Sequence, residues 1–496
     1  MIKVKNAVII GRDDNVAVAI EPINKGDRIM DVVAAMPIPQ GHKIAIKAID
    51  MGEQVIKYDH PIGTATEKIA IGTHVHSHNL TTGLRGIVDY AYNPGFVPAF
   101  TPSSQETFMG YVRKCGRVGI RNEIWIINTV NCVNKTAEKL AQESNMRHGG
   151  RVDGVFAFGH PHGCSQLGFD LLSTQTILSN LAKHPNAAGV LVLGLGCENN
   201  NIDAFKQVLG EVDESRIKFL NTQDVTDEFA AGMQLIDELV DMAETFSREP
   251  VPVDKLTIGL KCGGSDGLSG ITANVLVGSL SDAIVRRGGT CLLTEVPEMF
   301  GAETILMNRC VNEEVFRKSV DLINGFKSYF MDHGQEIYEN PSPGNIEGGI
   351  TTLEEKSLGC TQKGGSCQVV DVLEYGEGAK KPGLNLLQGP GNDIVAVTNL
   401  VAAGAHIVLF TTGRGTPLGG PVPTVKISSN TALQQKKPTW VDFDAGVLLA
   451  GDGTRMDNVT DDLLDYILRL ASGKELTKNE VNDYREIGIF KDGVTL

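Results

Sequence analysis

The sequence predicts a multidomain α/β protein: an N-terminal all-β module, then two α/β units, the last built on a mostly parallel sheet. Three observations predict it. A chain of 496 residues is longer than one hydrophobic core organises. Residues 1–80 alternate short β-type runs with turns, and Gly41, Gly52, Gly63 and Gly72 punctuate them at intervals of 9 to 11. Farther on, unbroken apolar runs are each followed by a polar loop and a helical stretch, the pattern of parallel strands covered on both faces.

The elements follow in order. NVAVAI, HKIAIKAI, EQVIKY and THVHSHN are the strands of the all-β module, residues 1–80. Residues 81–105 lack periodicity and hold Gly, Pro and Ser, which reads as an extended linker. The middle α/β unit spans 106–247, with GVFAFG (154–159) and AGVLVLGLG (188–196) as buried strands, each leading through a loop into a helix. FSREPVPVD (246–254) marks the next boundary. The C-terminal unit, 248–496, repeats the rhythm with KLTIGL, TCLLTE and AHIVLF as strands, ITANVLVGSLSDAIVRRGG as a helix and DDLLDYILRLAS as a closing amphipathic helix.

Bulk composition narrows the partners. The chain is 42% hydrophobic and 21% charged, ordinary values for a globular protein. No apolar run approaches the ~20 residues of a membrane helix, so no membrane partner is expected. A net charge of −15 argues against nucleic acid. Nine cysteines behind a start that reads as strands, with no signal peptide, point to a reducing cytoplasm. No C-x-x-C pair is present, which argues against a structural zinc knuckle.

The residues that carry chemistry sit in loops after strands. In HVHSHN, extended backbone would put His74, His76 and His78 on one face, with Asn79 beside them. The competing reading is a row of edge-strand histidines with no task. GGSDGLSG (263–270) follows a strand and opens a helix but does not have G-x-G-x-x-G spacing, and Asp266 would repel a pyrophosphate, so no nucleotide is expected. A carboxylate there suits a metal ion, a polyol hydroxyl or plain N-capping. Cys132, Cys164, Cys197 and Cys262 follow apolar runs, and Cys360 lies in SLGCTQKGG. Strand ends of one parallel sheet share an edge, so these thiols could converge as soft ligands for iron or zinc, or each be a small buried hydrophobe. In TEVPEMFGAE, Glu295 directly follows a strand and suits a ligand or base, whereas Glu298 and Glu303 read as helix-start acids. Arg414 in TTGRGTP suits a two-pronged grip on a carboxylate.

These stretches together resemble the altronate/galactarate dehydratase family along the whole chain. The resemblance rests on GLKCGGSDGLSGITAN, TEVPEMFGAE, YENPSPGN, GGITTLEEKSLGCTQKGG, LFTTGRGTPLGG, VPTVKISSN and IFKDGVTL, with GHPHGCSQLG and GLGCENN in the middle unit and HVHSHN near the end of the first. Val275 departs from the proline expected after ITAN, a matter for the helix start. The resemblance implies a SAF-type β-clip, a middle domain used in homodimerisation, and a Rossmann-like catalytic domain. It also implies an iron-dependent hydro-lyase, Fe²⁺ being the expected cofactor with Mn²⁺ a substitute. The implied reaction removes water from D-altronate to give 2-dehydro-3-deoxy-D-gluconate.

For that chemistry a base takes the proton at C2, and positive charge must face the developing enediolate. The expected assignments are a proton shuttle among His74, His76 and His78, Glu295 as a further acid or base, and Arg414 as carboxylate clamp. Asn79, Ser265 and Lys363 are expected as further substrate contacts, and the metal ligands to come from Cys132, Cys164, Cys197, Cys262, Cys360 and Asp266. Rival readings are a galactarate dehydratase on the same scaffold, a sulfolactate sulfo-lyase, and a non-catalytic sugar-acid sensor.

Overall fold

The computed structural model describes residues 2–4, 6–95, 97, 106–451 and 453–494. Most of the second half of the expected linker therefore lies outside the described residues. Its first half does not hang free. Thr82 and the Gly83 amide donate to Glu354 at 2.9 and 2.7 Å, and the Tyr92 hydroxyl reaches the Cys310 carbonyl at 2.7 Å. Residues 82–92 thus lie along the C-terminal unit.

The N-terminal module is all-β, with Val16–Ala19, Lys43–Ala45 and His74–Val75 adjacent and antiparallel in its larger sheet. The punctuating glycines all have positive φ, from 81° at Gly41 to 137° at Gly63, which is why glycine recurs there. The module does not fold around its own core alone. Val16, Val55, Ile62 and Val75 pack with Ala302 and Leu358 of the C-terminal unit, and Val8, Val18 and Ile20 pack with Leu268 and Ile271. Burying each such aliphatic side chain is worth roughly 1.5–3 kcal/mol, so docking and folding of the module are coupled.

The middle unit has a four-stranded parallel sheet in the order Val155–Phe158, Glu123–Asn128, Ala187–Gly194, Ile217–Asn221. One face packs on its own helices through Leu140, Ile236 and Leu239. The other, through Trp125, Ile127, Val190 and Val192, shares a core with Val397, Val408 and Phe410 of the C-terminal unit. The boundary segment is itself a strand: Glu249–Pro252 pairs antiparallel with Thr107–Val112.

The C-terminal unit holds a seven-stranded sheet, parallel at every pairing. Its order is Val369–Leu373, Gly383–Leu387, Thr290–Leu293, Thr257–Cys262, Ile407–Thr412, Thr424–Ser428, Phe443–Asp444. The chain starts at the central Thr257–Cys262 strand, builds outward on one side, then returns to build on the other. That makes a switch point between Thr257–Cys262 and Ile407–Thr412, the place where loops part and leave a crevice. The helix Ala273–Arg286 forms without a proline at Val275. No helix among the described residues is long and apolar enough to cross a membrane.

Candidate active site

The strand ends and loops at and beside that switch point carry Cys262, Asp266, Glu295 and Arg414, and the all-β module closes over them. The contact is backbone against backbone. Gly41, at φ 81°, would place a Cβ 2.8 Å from the Gly348 carbonyl, and a Cβ on Gly267 would collide with the Gly41 carbonyl. Only glycine allows this approach. The helix Leu353–Cys360 lies between module and sheet. Glu355 turns to the module, while Lys356 and Cys360, four residues apart and so on one helix face, turn to the strand ends.

Toward the module, Glu355 receives Lys43 at 2.8 Å and Lys57 at 2.7 Å, and all three side chains are buried. Lys43 also donates to the Gly349 carbonyl at 2.8 Å. Burial, only partly offset by Glu355, pushes the Lys43 ammonium down to about 8. Burial alone would raise the Glu355 carboxyl, but the two lysines hold it below the usual carboxylate range.

Toward the strand ends lies a second buried group. Cys262 Sγ and Cys360 Sγ are 3.4 Å apart, and each is 3.2 Å from Glu298 Oε2. Lys363 donates to Cys262 Sγ at 2.9 Å and Lys356 to Glu298 Oε1 at 2.7 Å. Lys261 donates to Glu295 Oε1, while Lys363 and the Cys262 amide donate to its Oε2 at 3.2 and 3.0 Å. Against burial, Lys356, Lys261 and Lys363 keep the Glu298 carboxyl below its ordinary range. The partner sulfur and burial push the Cys360 thiol well up. Glu295 has φ 69°, a left-handed backbone that costs a non-glycine residue strain and aims its side chain back under the sheet edge. Among the described residues Cys262, Cys360 and Glu298 alone bring three donor atoms within 4.8 Å of one another, and two sulfurs with one carboxylate oxygen suit ferrous iron.

The solvent-facing part is the histidine group. His74–Val75 is strand, but the chain then turns, so the expected alternation along extended backbone is wrong. The turn nevertheless gathers the rings: centroids of His74 and His76 are 5.2 Å apart, and those of His74 and His78 5.5 Å. His42, which the sequence reading passed over, joins them, with Nδ1 3.0 Å from His74 Nε2. The short helix Pro343–Glu347 faces this group: His42 Nε2 meets the Glu347 carbonyl and His76 Nε2 the Ile346 carbonyl, both at 3.0 Å. Arg414 Nη2 donates to Glu347 Oε2 at 2.6 Å, and both side chains are exposed. Arg414 is thus next to the histidines through one residue, already holding a carboxylate. Burial, then the neighbouring rings, lowers His74 to about 3, and burial lowers His76 to about 4. Both are neutral imidazoles at pH 7.

A pH dependence follows. Because the folded values lie below the ordinary ~6.5, these histidines contribute stability fully above pH ~6.5 and lose it as pH falls toward about 4. The melting temperature of a His74→Gln/His76→Gln variant should therefore fall less between pH 7 and 5 than that of the parent. Parallel curves would remove the histidines as the cause.

Several expected site residues have other work. Asp266 is buried and accepts from the Leu268 and Ser269 amides, from the Ser269 and Ser429 hydroxyls and from Asn430, at 2.8–3.1 Å; with its oxygens so occupied it shapes the loop instead of offering a metal ligand. Asn79 is buried and braces the histidine turn, accepting from the His76 amide and donating to the His74 carbonyl, both at 2.9 Å. Ser265 is buried, its carbonyl taken by Asn345 at 2.8 Å. Lys363 and Glu295 are fully buried ion-pair partners and do not face solvent as a substrate contact or free base. The thiols do not converge on one site: Cys262 and Cys360 are here, whereas Cys132 and Cys164 lie 3.7 Å apart in the middle unit, in a group with Cys197. Glu298, read as a helix-start acid, is buried beside the thiols, and Glu303 takes Lys327 at 3.1 Å. Lys43, Lys57, Glu355 and Lys356 went unread. Their signal was a charge inside β-type runs (HKIAI, QVIKY) and an EEK triplet within the GGITTLEEKSLGC stretch.

A β-module closing over the switch point of a parallel sheet, with imidazoles, a carboxylate-binding arginine and a buried thiol–carboxylate–lysine group, defines a modular α/β protein with an enzyme-type interdomain site. The chain belongs to the altronate/galactarate dehydratase family. Family models match throughout: the SAF domain over residues 5–83, the second domain of D-galactarate dehydratase/altronate hydrolase over 110–244, and the D-galactarate/altronate dehydratase C-terminal domain over 253–495. The altronate dehydratase of Bacillus subtilis strain 168 is 52% identical over 499 residues, covering 99% of this chain and 100% of its own. That of Escherichia coli K12 is 51% identical, over 97% and 98% of the two chains. The galactarate dehydratase (L-threo-forming) of Escherichia coli K12 is 32% identical, over 94% and 92%.

Proposed function

We propose that this chain is an altronate dehydratase, a hydro-lyase converting D-altronate to 2-dehydro-3-deoxy-D-gluconate and water. The single observation that carries the reading is the end-to-end match at 52% identity to an altronate dehydratase, set against 32% for the galactarate enzyme. The site's chemistry supports it. Arg414 holds the Glu347 carboxylate where a substrate carboxylate would exchange with it. His74 and His76, neutral at pH 7, accept the C2 proton without first losing one, and His42 relays it. Lys43, whose charge the histidines feel, sets positive charge behind them, against the enediolate that develops.

Cys262, Cys360 and Glu298 would hold ferrous iron; their sulfurs favour it over Mn²⁺, which prefers all-oxygen sites. When bound, the iron supplies Lewis-acid stabilisation of oxygen-centred charge. Lys363 and Lys356 orient its thiol and carboxylate ligands from behind. The nine cysteines, all free, are in keeping with a reducing compartment. Leu167, Phe169 and Leu172, each more than half exposed on the middle unit, support self-association there.

The test is turnover of a panel of aldonates and aldarates by anaerobic protein with Fe²⁺ and a thiol. D-altronate should be turned over at least about tenfold faster than galactarate, a discrimination of ~1.4 kcal/mol. The opposite order would overturn the substrate. Arg414→Lys should lower kcat/KM about tenfold or more although charge is kept, because a point charge cannot replace a planar two-pronged donor. Parental kinetics would take Arg414 out of the site.

A further inference from the structure

We infer that the cavity of the middle unit lined by Arg113, Arg117, Lys183 and Arg216 is a binding site for a small organic dianion, a phosphate monoester or dicarboxylate carried on an apolar body. It is separate from the interdomain site and does not depend on the proposed reaction.

Three chain segments enclose the cavity. Arg216 directly precedes the strand Ile217–Asn221, and Lys183 follows the helix Gly168–Ala182 and leads into Ala187–Gly194. Arg113 and Arg117 flank the turn between Thr107–Val112 and its antiparallel partner Val118–Gly119, closed by the Arg113 amide on the Arg117 carbonyl at 2.8 Å. The cavity thus sits at the amino ends of the middle sheet's strands, whereas the interdomain site lies at carboxyl ends of the C-terminal sheet. Its volume is about 250 Å³, and Val212, Met242 and Phe246 give it an apolar wall. A concave, partly apolar space with a few convergent polar groups is the usual form of a small-molecule site.

Charge is the second observation. Five cations line the cavity, Arg113, Lys114, Arg117, Lys183 and Arg216, against the two carboxylates of Glu211 and Asp213, in a chain whose net charge is −15. The carboxylates do not neutralise them. Asp213 accepts from the Ser215 amide and hydroxyl at 2.9 and 2.5 Å and meets exposed Lys114 at 3.7 Å. Arg113, Arg117, Lys183 and Arg216 have no carboxylate partner among the described residues. The guanidiniums rest on uncharged acceptors instead. Buried Arg113 donates to the Pro185 and Arg121 carbonyls at 2.9 and 2.8 Å and to the Asn122 side chain at 2.8 Å. Arg216 donates to the His184 and Ala187 carbonyls at 2.6 and 2.8 Å, and Arg117 to the Lys183 carbonyl at 2.9 Å. A carbonyl orients a guanidinium but leaves its charge whole. The half-buried Lys183 ammonium has no hydrogen-bond partner among the described residues. Burial, then the Arg216 charge, pushes the Arg113 guanidinium down to about 9, and burial, then Arg117, lowers Lys183, so these cations act on one another. Buried Arg121, by contrast, has Glu480 at 2.7 Å. A dianion in the cavity relieves the repulsion and takes donors that the carbonyls leave free, in the planar two-pronged geometry that phosphate and carboxylate share.

Exposed Cys115 lines the same cavity and reports on its occupation. The experiment is the rate at which iodoacetamide alkylates Cys115 in the full-length protein, read by peptide mass spectrometry. Phenyl phosphate, phthalate or uncharged phenol is added in about 0.15 M chloride, which screens loose surface attraction. Phenyl phosphate or phthalate should slow alkylation at least about fivefold at saturation, with a Kd of about 1 mM or lower. Whichever of the two binds more tightly assigns the site to phosphate esters or to dicarboxylates, and phenol should not protect. Arg117→Glu and Lys183→Glu, at exposed and half-buried positions that spare the fold, should each weaken protection about tenfold or more by reversing a charge at the ligand. Arg414→Lys, altered at the interdomain site, should protect as the parent does. Alkylation slowed by neither dianion, slowed equally by phenol, or slowed to the parental extent in both charge-reversed variants overturns the site. Protection lost in those variants together with a change of oligomeric state in analytical ultracentrifugation also overturns it, because the cations then serve a contact between copies.

Discussion

Glu355→Ala should destabilise the protein by about 3–5 kcal/mol, the cost of breaking a buried ion pair from one side. Glu355 is 2% exposed and is the shared anion of Lys43 and Lys57; it also receives the Thr351 amide at 2.9 Å and hydroxyl at 2.6 Å. Without it two ammonium groups stay in the interface with no anion, and the Lys43 ammonium, which burial has already pushed down to about 8, loses its counter-charge. The damage should localise. The N-terminal module should undock, and limited proteolysis should cut first within residues 1–95, before the sheets. Denaturant unfolding measures the loss. Replacing all three charges together (Lys43→Met, Lys57→Met, Glu355→Leu) should recover much of it, since uncharged packing replaces a buried charge network at little net cost. A Glu355→Ala protein as stable as its parent would mean that water reaches these lysines and that the module is held by apolar contacts alone.

His76→Ala should lower kcat by about 10²-fold or more, the usual contribution of a positioned general acid or base, with little change in melting temperature. Its Nε2 meets the Ile346 carbonyl and its Nδ1 the Ser77 hydroxyl at 2.9 Å, so the folding cost is one or two hydrogen bonds, each worth about 1 kcal/mol. The ring stacks on His42 at 4.8 Å between centroids and lies beside His74, so a proton accepted by one can pass along the group. A folded His76→Ala protein with parental kcat would leave the histidines as a structural contact.

Much of the architecture was legible because it is written in local patterns. GVFAFG, AGVLVLGLG, KLTIGL, TCLLTE and AHIVLF all contain strands, and the helices at 273–286 and 456–471 match their periodic runs. The central strand of the middle sheet, Glu123–Asn128, is buried throughout and went unread, as did Thr424–Ser428. EIWIIN has the β-type run, flanked by Gly119 and Asn122 before it and Asn128 at its end.

The sequence by itself determined the three-part organisation, the parallel sheet, the loops that carry polar side chains and the family. Each of those depends on residues close together in the chain. Tertiary structure alone decided how the side chains were grouped. Five cysteines that looked equivalent divided into a buried pair beside Glu298 and three thiols on another sheet, because strand order, which no local pattern encodes, decides which loops are neighbours. Asp266 turned from a candidate metal ligand, and Asn79 from a candidate substrate contact, into braces once nearby donors had taken their oxygens. Lys43 and Lys57 gained their role from Glu355, about 300 positions away. Whether a charge is functional, structural or solvated depends on what is brought against it, and a buried charge with a distant partner is invisible until the chain has closed on itself.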